Sequence, residues 1–339
     1  MKIVALVDHE VRTEADPQFE SQSKDEHGMM ERCVIQALRR RGYETLALPF
    51  GPDVRKTMDA LAEHSPQLVF NLTEHFEGDR RKDSHVAALL ELLHLPFTGT
   101  GPSGLMLCRD KATCKRVLGY HRIRVPQFWS VPLEKNRPAG RVHYPVIAKP
   151  VYEDGSDGIS LASIVHTDEE LRERLRMIHE RMKQPVICEE YVEGRELYVG
   201  ILGNDRLSAL PPRELRFGNT EGDGPHIATS RVKWDKAYRK KWKIEYTDAE
   251  LPQPLVDRIA RISKRIYGLL SLRDYARIDL RLTAANEVVF LEANPNPDLS
   301  PDDDLALSAI KGGMEYDALI GRIAQLAARR SGLSGEVKE

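Results

Sequence analysis

The chain has 339 residues, 41% of them apolar and 30% charged, with a net charge of −2. That composition describes an ordinary soluble protein with room for two or three cored domains, and it gives no reason to expect a nucleic-acid or membrane partner. No run approaches the ~18 apolar residues of a membrane span, and the four cysteines (Cys33, Cys108, Cys114, Cys188) are scattered without a CxxC pair, so neither a zinc site nor a disulfide framework is indicated. The chain opens on an apolar strand, Ile3–Val7, rather than a basic-then-apolar leader, which makes the cytoplasm the expected location.

After that strand and the polar stretch Asp8–Gly28, a helix is predicted over Met29–Arg41, stopped by Gly42. Strand Thr45–Leu48, a helix near Val54–His64 and strand Leu68–Asn71 complete a β-α-β-α-β alternation, the pattern of a parallel sheet wrapped by helices. Ligands of such sheets sit beyond the carboxyl ends of the strands, which makes His9, Glu10, Glu74, His75 and Glu77 site candidates. Helix Ser84–Leu95 leads to Phe97–Gly104, where Gly99, Gly101 and Gly104 match G-x-G-x-x-G. A proline inside the match and the lack of an acidic residue at the expected ~20-residue distance argue against a dinucleotide site. A turn joining two domains explains these glycines.

Arg109–Lys111 opens a helix to about Leu118, followed by Val125-Pro126 and a Pro-rich loop through Pro138. The short apolar strand Tyr144–Pro150 ends in Lys149, and the small, flexible loop Glu153–Gly158 leads into a predicted strand Ile159–Val165. A Gly/Ser loop beside a lysine is a workable phosphate cover, because its backbone N–H groups can approach an anion closely. Thr167 with Glu170 reads as a capping box, and Leu171, Leu175, Ile178 and Met182 form the inward stripe of the helix it starts. Strands Val186–Glu190, Glu196–Leu202 and Arg206–Leu210 come next. A polar, Gly-rich run (Pro211 to Ser230) and a basic segment (Arg231 to Lys243) precede helix Leu255–Leu270.

Tyr275–Leu282 and Val288–Asn294 read as an antiparallel hairpin about Asn286. Alternation along the strands puts Arg277, Asp279 and Arg281 on one face, and Glu292 with Asn294 on one face of the partner. Where these faces coincide, two carboxylates, an amide oxygen and a guanidinium converge, an oxygen set suited to a hard cation such as Mg²⁺. Helices to Lys311 and from Tyr316 to about Arg330 close the chain, the first preceded by Asp302-Asp303-Asp304.

The order of five pieces resembles the ATP-grasp superfamily, and within it the D-alanine–D-alanine ligases: Pro96–Gly101 with Asp110-Lys111; Val146–Pro150 with its Gly/Ser loop; Glu189–Val192 with Gly194 and Glu196; Arg277–Asp279; and Leu291–Pro295. The resemblance covers nearly the whole chain. It implies α/β and α+β architecture, an ATP-grasp fold with a Rossmann-like parallel-sheet N-terminal domain (1–103), a small central α+β domain (104–185) and a C-terminal α+β domain (186–335). It also implies ATP with Mg²⁺ or Mn²⁺ as cofactors, small carboxylate and amine substrates, and a homodimer.

By the same resemblance, Lys111 and Lys149 are the lysines on the ATP phosphates, covered by the loop bearing Glu153 and Ser156. Glu189, Glu190, Tyr191 and Val192 are the adenine linker, Glu196 the ribose ligand, and Lys233 the mobile-arm lysine. Asp279, Glu292 and Asn294 are the metal ligands, Arg277 the arginine that steadies the transferring phosphoryl group, and Glu10 the faint counterpart of a substrate-site glutamate. The implied activity is ATP-dependent joining of a carboxylate to an amine through an acyl phosphate.

The departures concern the acceptor. Asp298 stands where the family has a glycine, and Asp302–Asp304 occupy the place of a serine that holds the acceptor carboxylate, so an acceptor other than plain D-alanine is expected; the other use of those acids is to cap and complement the following helix. Two other readings are a non-catalytic ATP-binding sensor or scaffold, which has no need of the full phosphoryl-transfer set, and a nicotinamide-dependent oxidoreductase built on Gly99–Gly104, which leaves Asp279, Glu292 and Asn294 unexplained.

Overall fold

The computed structural model describes residues 1–9, 28–153, 158–218, 227–229, 231, 232 and 235–333. Glu10, Ser156 and Lys233 lie outside the described residues, as does most of the Glu153–Gly158 loop. The structure is mixed α/β with three sheets among those residues.

The first sheet is parallel, in the order β2-β1-β3, from β1 (Lys2–Asp8), β2 (Glu44–Phe50) and β3 (Leu68–Asn71). Almost every residue of β1 and β3 is buried on both faces, as a parallel strand between helical layers requires. On one side Val4, Leu6 and Val69 pack with α2 (Val54–His64) and α3 (Asp83–Leu92). On the other, Ile3, Ala5 and Val7 pack with α1 (Met29–Arg40) and with Leu319, Ile320, Ile323, Ala324 and Ala327 of the last helix, Tyr316–Arg330.

The loop after α3 begins a second region. Its helices are α4 (Pro102–Arg109) and α5 (Lys111–Tyr120). Residues 97–101 turn, as expected of this segment, and α4 then starts within it, capped by Gly101 with Pro102 at its first position. The three motif glycines make room for neighbours. A Cβ on Gly99 (φ +90°) would lie 2.6 Å from Asn296, and one on Gly104 would lie 2.9 Å from the Ser271 carbonyl. Gly99 N–H donates to Asp274 at 2.8 Å. This segment is a junction with the carboxyl-terminal part of the chain.

The second sheet is antiparallel, β4-β7-β5-β6, built from β4 (Phe128–Val131), β5 (Val146–Pro150), β6 (Ile164–Val165) and β7 (Val186–Glu190), with α6 (Asp168–Met182) packed on it. β4 was missed in the Pro-rich stretch. The expected strand Ile159–Val165 shortens to its last two residues, because a 3₁₀ turn occupies Leu161–Ser163.

The third sheet runs β11-β10-β8-β12-β13, with β9 also paired to β8. Its members are β8 (Arg195–Leu202), β9 (Ser208–Ala209), β10 (Arg213–Arg216), β11 (Glu245–Asp248), β12 (Tyr275–Leu282) and β13 (Val288–Asn294). β9 keeps two residues of the expected Arg206–Leu210. The run expected to be irregular holds β10, and the basic segment holds α7 (Lys236–Trp242). One face of this sheet, carrying Leu197, Val199, Ile201, Ile278 and Leu280, buries against α5 and α8 (Gln253–Leu269). The other face is polar. Helices α9 (Asp304–Lys311) and α10 (Tyr316–Arg330) complete the chain.

Candidate functional site

The polar face of β8, β12 and β13 is the centre of the site. Arg277 lies opposite Asn294, and Asp279 opposite Glu292, in the β12–β13 ladder, so the two faces inferred from alternation do coincide. A register shift between Asp279 and Leu280 interrupts the ladder directly after the acid, the kind of local irregularity that re-aims a side chain. Arg277 donates to Asp279 through Nε at 2.8 Å and Nη2 at 3.1 Å, a bidentate pair, and its guanidinium lies 5.1 Å from the Tyr198 ring centroid. Burial opposes its charge, but Asp279, Asp303 and Asp304 outweigh that and raise its pKa well above the ordinary value. The Asn294 amide donates to Asp279 Oδ2 at 3.1 Å.

Two lysines come from outside this sheet. Asp110 caps α5 by accepting from the Ala112 and Thr113 N–H groups at 3.0 and 2.9 Å, which fixes the first turn that carries Lys111. Lys111 Nζ reaches Glu292 Oε1 at 2.6 Å and also donates to the Glu153 carbonyl. Lys149, on β5, meets Glu189 Oε2 at 2.9 Å. Lys115, which the sequence reading passed over, meets Glu189 Oε1 at 2.8 Å and donates to the Leu291 carbonyl at 2.6 Å. The signal for it was present: Lys115 follows Lys111 by one helical turn and so shares its face.

Glu189 is almost entirely buried, and burial alone would raise its pKa; the two lysines override that and hold it down to about 2. Its carboxylate is therefore a fixed anion between two cations rather than an open acceptor. Among its neighbours on the linker, the Glu190 N–H donates to Gln127 O at 2.7 Å and the Tyr191 N–H to Pro145 O at 3.1 Å. Glu196 accepts from Tyr198 Oη at 2.8 Å and pairs with Arg281 at 2.9 Å, so Arg281 extends the stripe of Arg277 and Asp279 toward the linker. Glu153 Oε1 accepts from Gln184 at 2.8 Å.

Among the described residues no three His, Cys, Asp or Glu side chains are arranged to hold a metal ion. Asp279, Glu292 and Asn294 supply two carboxylates and an amide instead. That set fits Mg²⁺ or Mn²⁺ by donor chemistry, since a hard cation at a nucleotide site takes a few protein oxygens and completes its shell with phosphate and water.

Of the candidates beyond β1 and β3, His75 Nε2 lies 3.6 Å from Asp8, and Glu74 N–H donates to Asp8 at 3.2 Å. Glu77 pairs with Lys82 at 3.5 Å, and His9 packs on Gly51. These contacts lie at the ends of the first sheet's strands. Asp303, by contrast, stands 3.7 Å from Arg277. It occupies the position before α9 but makes no capping hydrogen bond, and Asp304 pairs with Arg213 at 3.3 Å. Of the helix-start use of these acids, the side-chain cap is absent, but Asp304 stands in the first turn of α9 where a carboxylate favours the positive end.

A family model described as D-ala D-ala ligase C-terminus matches residues 117–325. A Sinorhizobium fredii protein described as uncharacterized, y4sG, is 31% identical over 309 residues, covering 89% of this chain and 88% of its own length. A D-alanine–D-alanine ligase of Aquifex aeolicus is 31% identical over 295 residues, covering 86% and 92%. In fold, the D-alanine–D-alanine ligase of Bacillus anthracis complexed with ATP superimposes with a TM-score of 0.74 at 20% identity, covering 99% of this chain and all of the other.

Proposed function

The chain belongs to the D-alanine–D-alanine ligase family of the ATP-grasp superfamily, whose members are ATP-dependent ligases that form C–N bonds, and we propose from that premise that it joins a small carboxylate to an amine through an acyl phosphate. The observation that carries this reading is the convergence of Arg277, Asp279, Asn294 and Glu292 on one sheet face, with Lys111 on the last of them.

In this reading a substrate carboxylate oxygen attacks the γ-phosphorus of ATP, the bond to the β-phosphate oxygen breaks, and ADP leaves. The amine nitrogen then attacks the acyl carbon, inorganic phosphate departs with the former carboxylate oxygen, and the nitrogen loses a proton to solvent. Lys111 and Lys149 bind phosphate oxygens, and Arg277 balances the charge of the transferring group and of the later oxyanion. Asp279, Glu292 and Asn294 would hold the divalent cation, which supplies charge neutralisation on the phosphates. Glu189–Val192 and Glu196 would receive the adenosine, Glu153 and Ser156 lie on the cover loop, and Lys233 and Glu10 serve as the mobile-arm and substrate-site residues. The acceptor is an amine other than plain D-alanine, because Asp298 and Asp302–Asp304 repel a free carboxylate. The working assembly is a homodimer and the working location the cytoplasm.

The test is ADP release by the full chain with ATP and Mg²⁺ over a panel of D- and L-amino acids, dipeptides and amines. ADP formed only with particular pairs, and reduced at least ~100-fold in Glu292→Gln, supports the ligase. ATP hydrolysis indifferent to every carboxylate and amine, or unchanged in that variant, overturns it.

A further inference from the structure

Lys115 has no part in the reaction just described, yet it touches both halves of the site. It comes from α5, and its ammonium is held on three sides. It pairs with Glu189 Oε1 on β7 at 2.8 Å, donates to the Leu291 carbonyl on β13 at 2.6 Å and lies 5.4 Å from the Phe290 ring centroid. Leu291 is the residue before Glu292, and Glu292 in turn meets Lys111, one turn earlier on the same helix, at 2.6 Å. The other oxygen of Glu189 meets Lys149 at 2.9 Å. One carboxylate therefore lies between two ammonium groups that differ in their access to solvent. The Lys115 side chain is 1% exposed, sealed within the fold, and that of Lys149 is 14% exposed.

Away from water, a carboxylate and a single ammonium in contact largely cancel one another's field. With Lys149 as its one partner, Glu189 would leave a neutral pair, and a phosphate brought to Lys149 would compete with the carboxylate for it. Lys115 supplies a second positive charge, so the three groups together remain cationic. Burial works against the charge of Lys149, and Glu189, followed by Glu292 and Glu196, outweighs burial and raises its pKa. We infer that Lys115 is a positioning residue for the phosphate site: it neutralises Glu189 from inside the fold and so leaves Lys149 to act on the phosphates of the nucleotide. Its hydrogen bond to Leu291 keeps it on that inner side, so it serves the phosphates through Lys149 and not by contact. This rests on the ligase reading and deepens it, because Lys149 is a phosphate ligand only in that reading.

Inorganic tripolyphosphate, which has phosphates and no base, separates this role from simple packing. It is titrated calorimetrically with Mg²⁺ into the full chain, beside adenosine, for the natural sequence, Lys115→Met, Lys115→Arg and the double variant Lys115→Met with Glu189→Gln. Lys115→Met removes the charge at similar volume and leaves Glu189 paired to Lys149. Tripolyphosphate should then bind at least ~10-fold more weakly, the usual strength of one charge-assisted hydrogen bond, while adenosine stays within about 3-fold. Lys115→Arg keeps the charge and should hold tripolyphosphate within about 3-fold of the natural protein. The double variant removes the acid as well, and tripolyphosphate binding should return to within about 3-fold, because Lys149 no longer has a carboxylate to cancel it. A residue needed only for packing predicts the reverse, since a second core substitution deepens the loss. Unchanged tripolyphosphate affinity in Lys115→Met overturns the inference, and so does a loss that Glu189→Gln fails to recover. ADP release measured in parallel over carboxylate and amine pairs keeps the premise apart. Loss and recovery of tripolyphosphate binding with no ADP released on any pair supports the role of Lys115 and defeats the ligase. No tripolyphosphate binding by the natural protein, with ADP release intact, overturns the inference alone.

Discussion

Glu189 shows what a single buried carboxylate does when two lysines share it. Isolated, it would be neutral; between Lys115 and Lys149, at 2.8 and 2.9 Å, it stays ionised down to about pH 2. The pairing stabilises the fold above the ordinary carboxylate pKa and is lost as pH falls from about 4.5 toward about 2. Glu189→Gln leaves two ammonium groups facing a neutral amide, and a loss of about 3–5 kcal/mol in urea unfolding is expected at neutral pH. Glu31 behaves with the opposite sign. Its folded pKa of about 7 stands above the ordinary 4.5, so between those pH values the folded chain keeps a proton that the unfolded chain releases. Stability from this group therefore declines as pH rises from about 4.5 through about 7, by up to about 3 kcal/mol. Glu31→Gln should flatten that slope and raise the unfolding midpoint at pH 8; an unchanged pH profile would show that Glu31 carries no such strain. At this scale sequence reading found the residue types but not their partners. Arg277, Asp279, Glu292 and Asn294 were legible because strand alternation places them, and Lys111 through the resemblance to the ligase family. Glu189 read as an adenine contact and Lys115 went unnoticed, since nothing local says that β5, β7 and α5 bring three charges to one point.

The elements that sequence reading recovered are those with a hydrophobic period. The β12–β13 hairpin, α1, α6 and α8 all bury one stripe or one face, and their existence followed from it. β10 failed for the converse reason. Arg213-Glu-Leu-Arg216 is buried largely through ion pairs, Arg213 to Asp248 at 2.8 Å and Glu214 to Arg195 at 2.7 Å, so its pattern carried no apolar alternation to read. α4 escaped notice because it is eight residues long and starts on a proline after two glycines. Among the recovered elements, α5 offers the cleanest test of how a cap serves a site. Asp110→Ala removes the side chain that accepts from Ala112 and Thr113 and should cost about 1 kcal/mol of stability. Because Lys111 is the next residue, KM for ATP should rise severalfold with a smaller change in kcat, read from ADP release at saturating substrates. Equal KM values would mean that the first turn holds its shape without the cap.

Across the whole molecule, the order of a parallel layer, a small antiparallel sheet and a larger mixed-length antiparallel sheet could be read from the chain, and so could its family. The way the layers join could not. Asp274, fully buried, accepts from Gly99 N–H at 2.8 Å, from Asn204 at 2.9 Å and from Arg330 at 3.0 Å, tying the loop between α3 and α4 to the last helix and the third sheet. That helix, α10, packs Leu319, Ile320, Ile323 and Ala324 on the first sheet, a contact between the two ends of the chain that no local pattern encodes. Ile320→Ala should cost about 2–5 kcal/mol and should loosen hydrogen exchange in β1 and α1 more than in β12 and β13. Uniform loosening would mean that the layers unfold as one unit.

The same helix closes the first sheet late in synthesis. β1 leaves the ribosome well before α10, yet the apolar row Ile3, Ala5 and Val7 is covered by α10 as well as α1. At ~5–20 residues per second that cover arrives on the order of tens of seconds later. Over that interval the side of the first sheet that α10 covers stays open, a stretch of apolar surface that the folded chain buries.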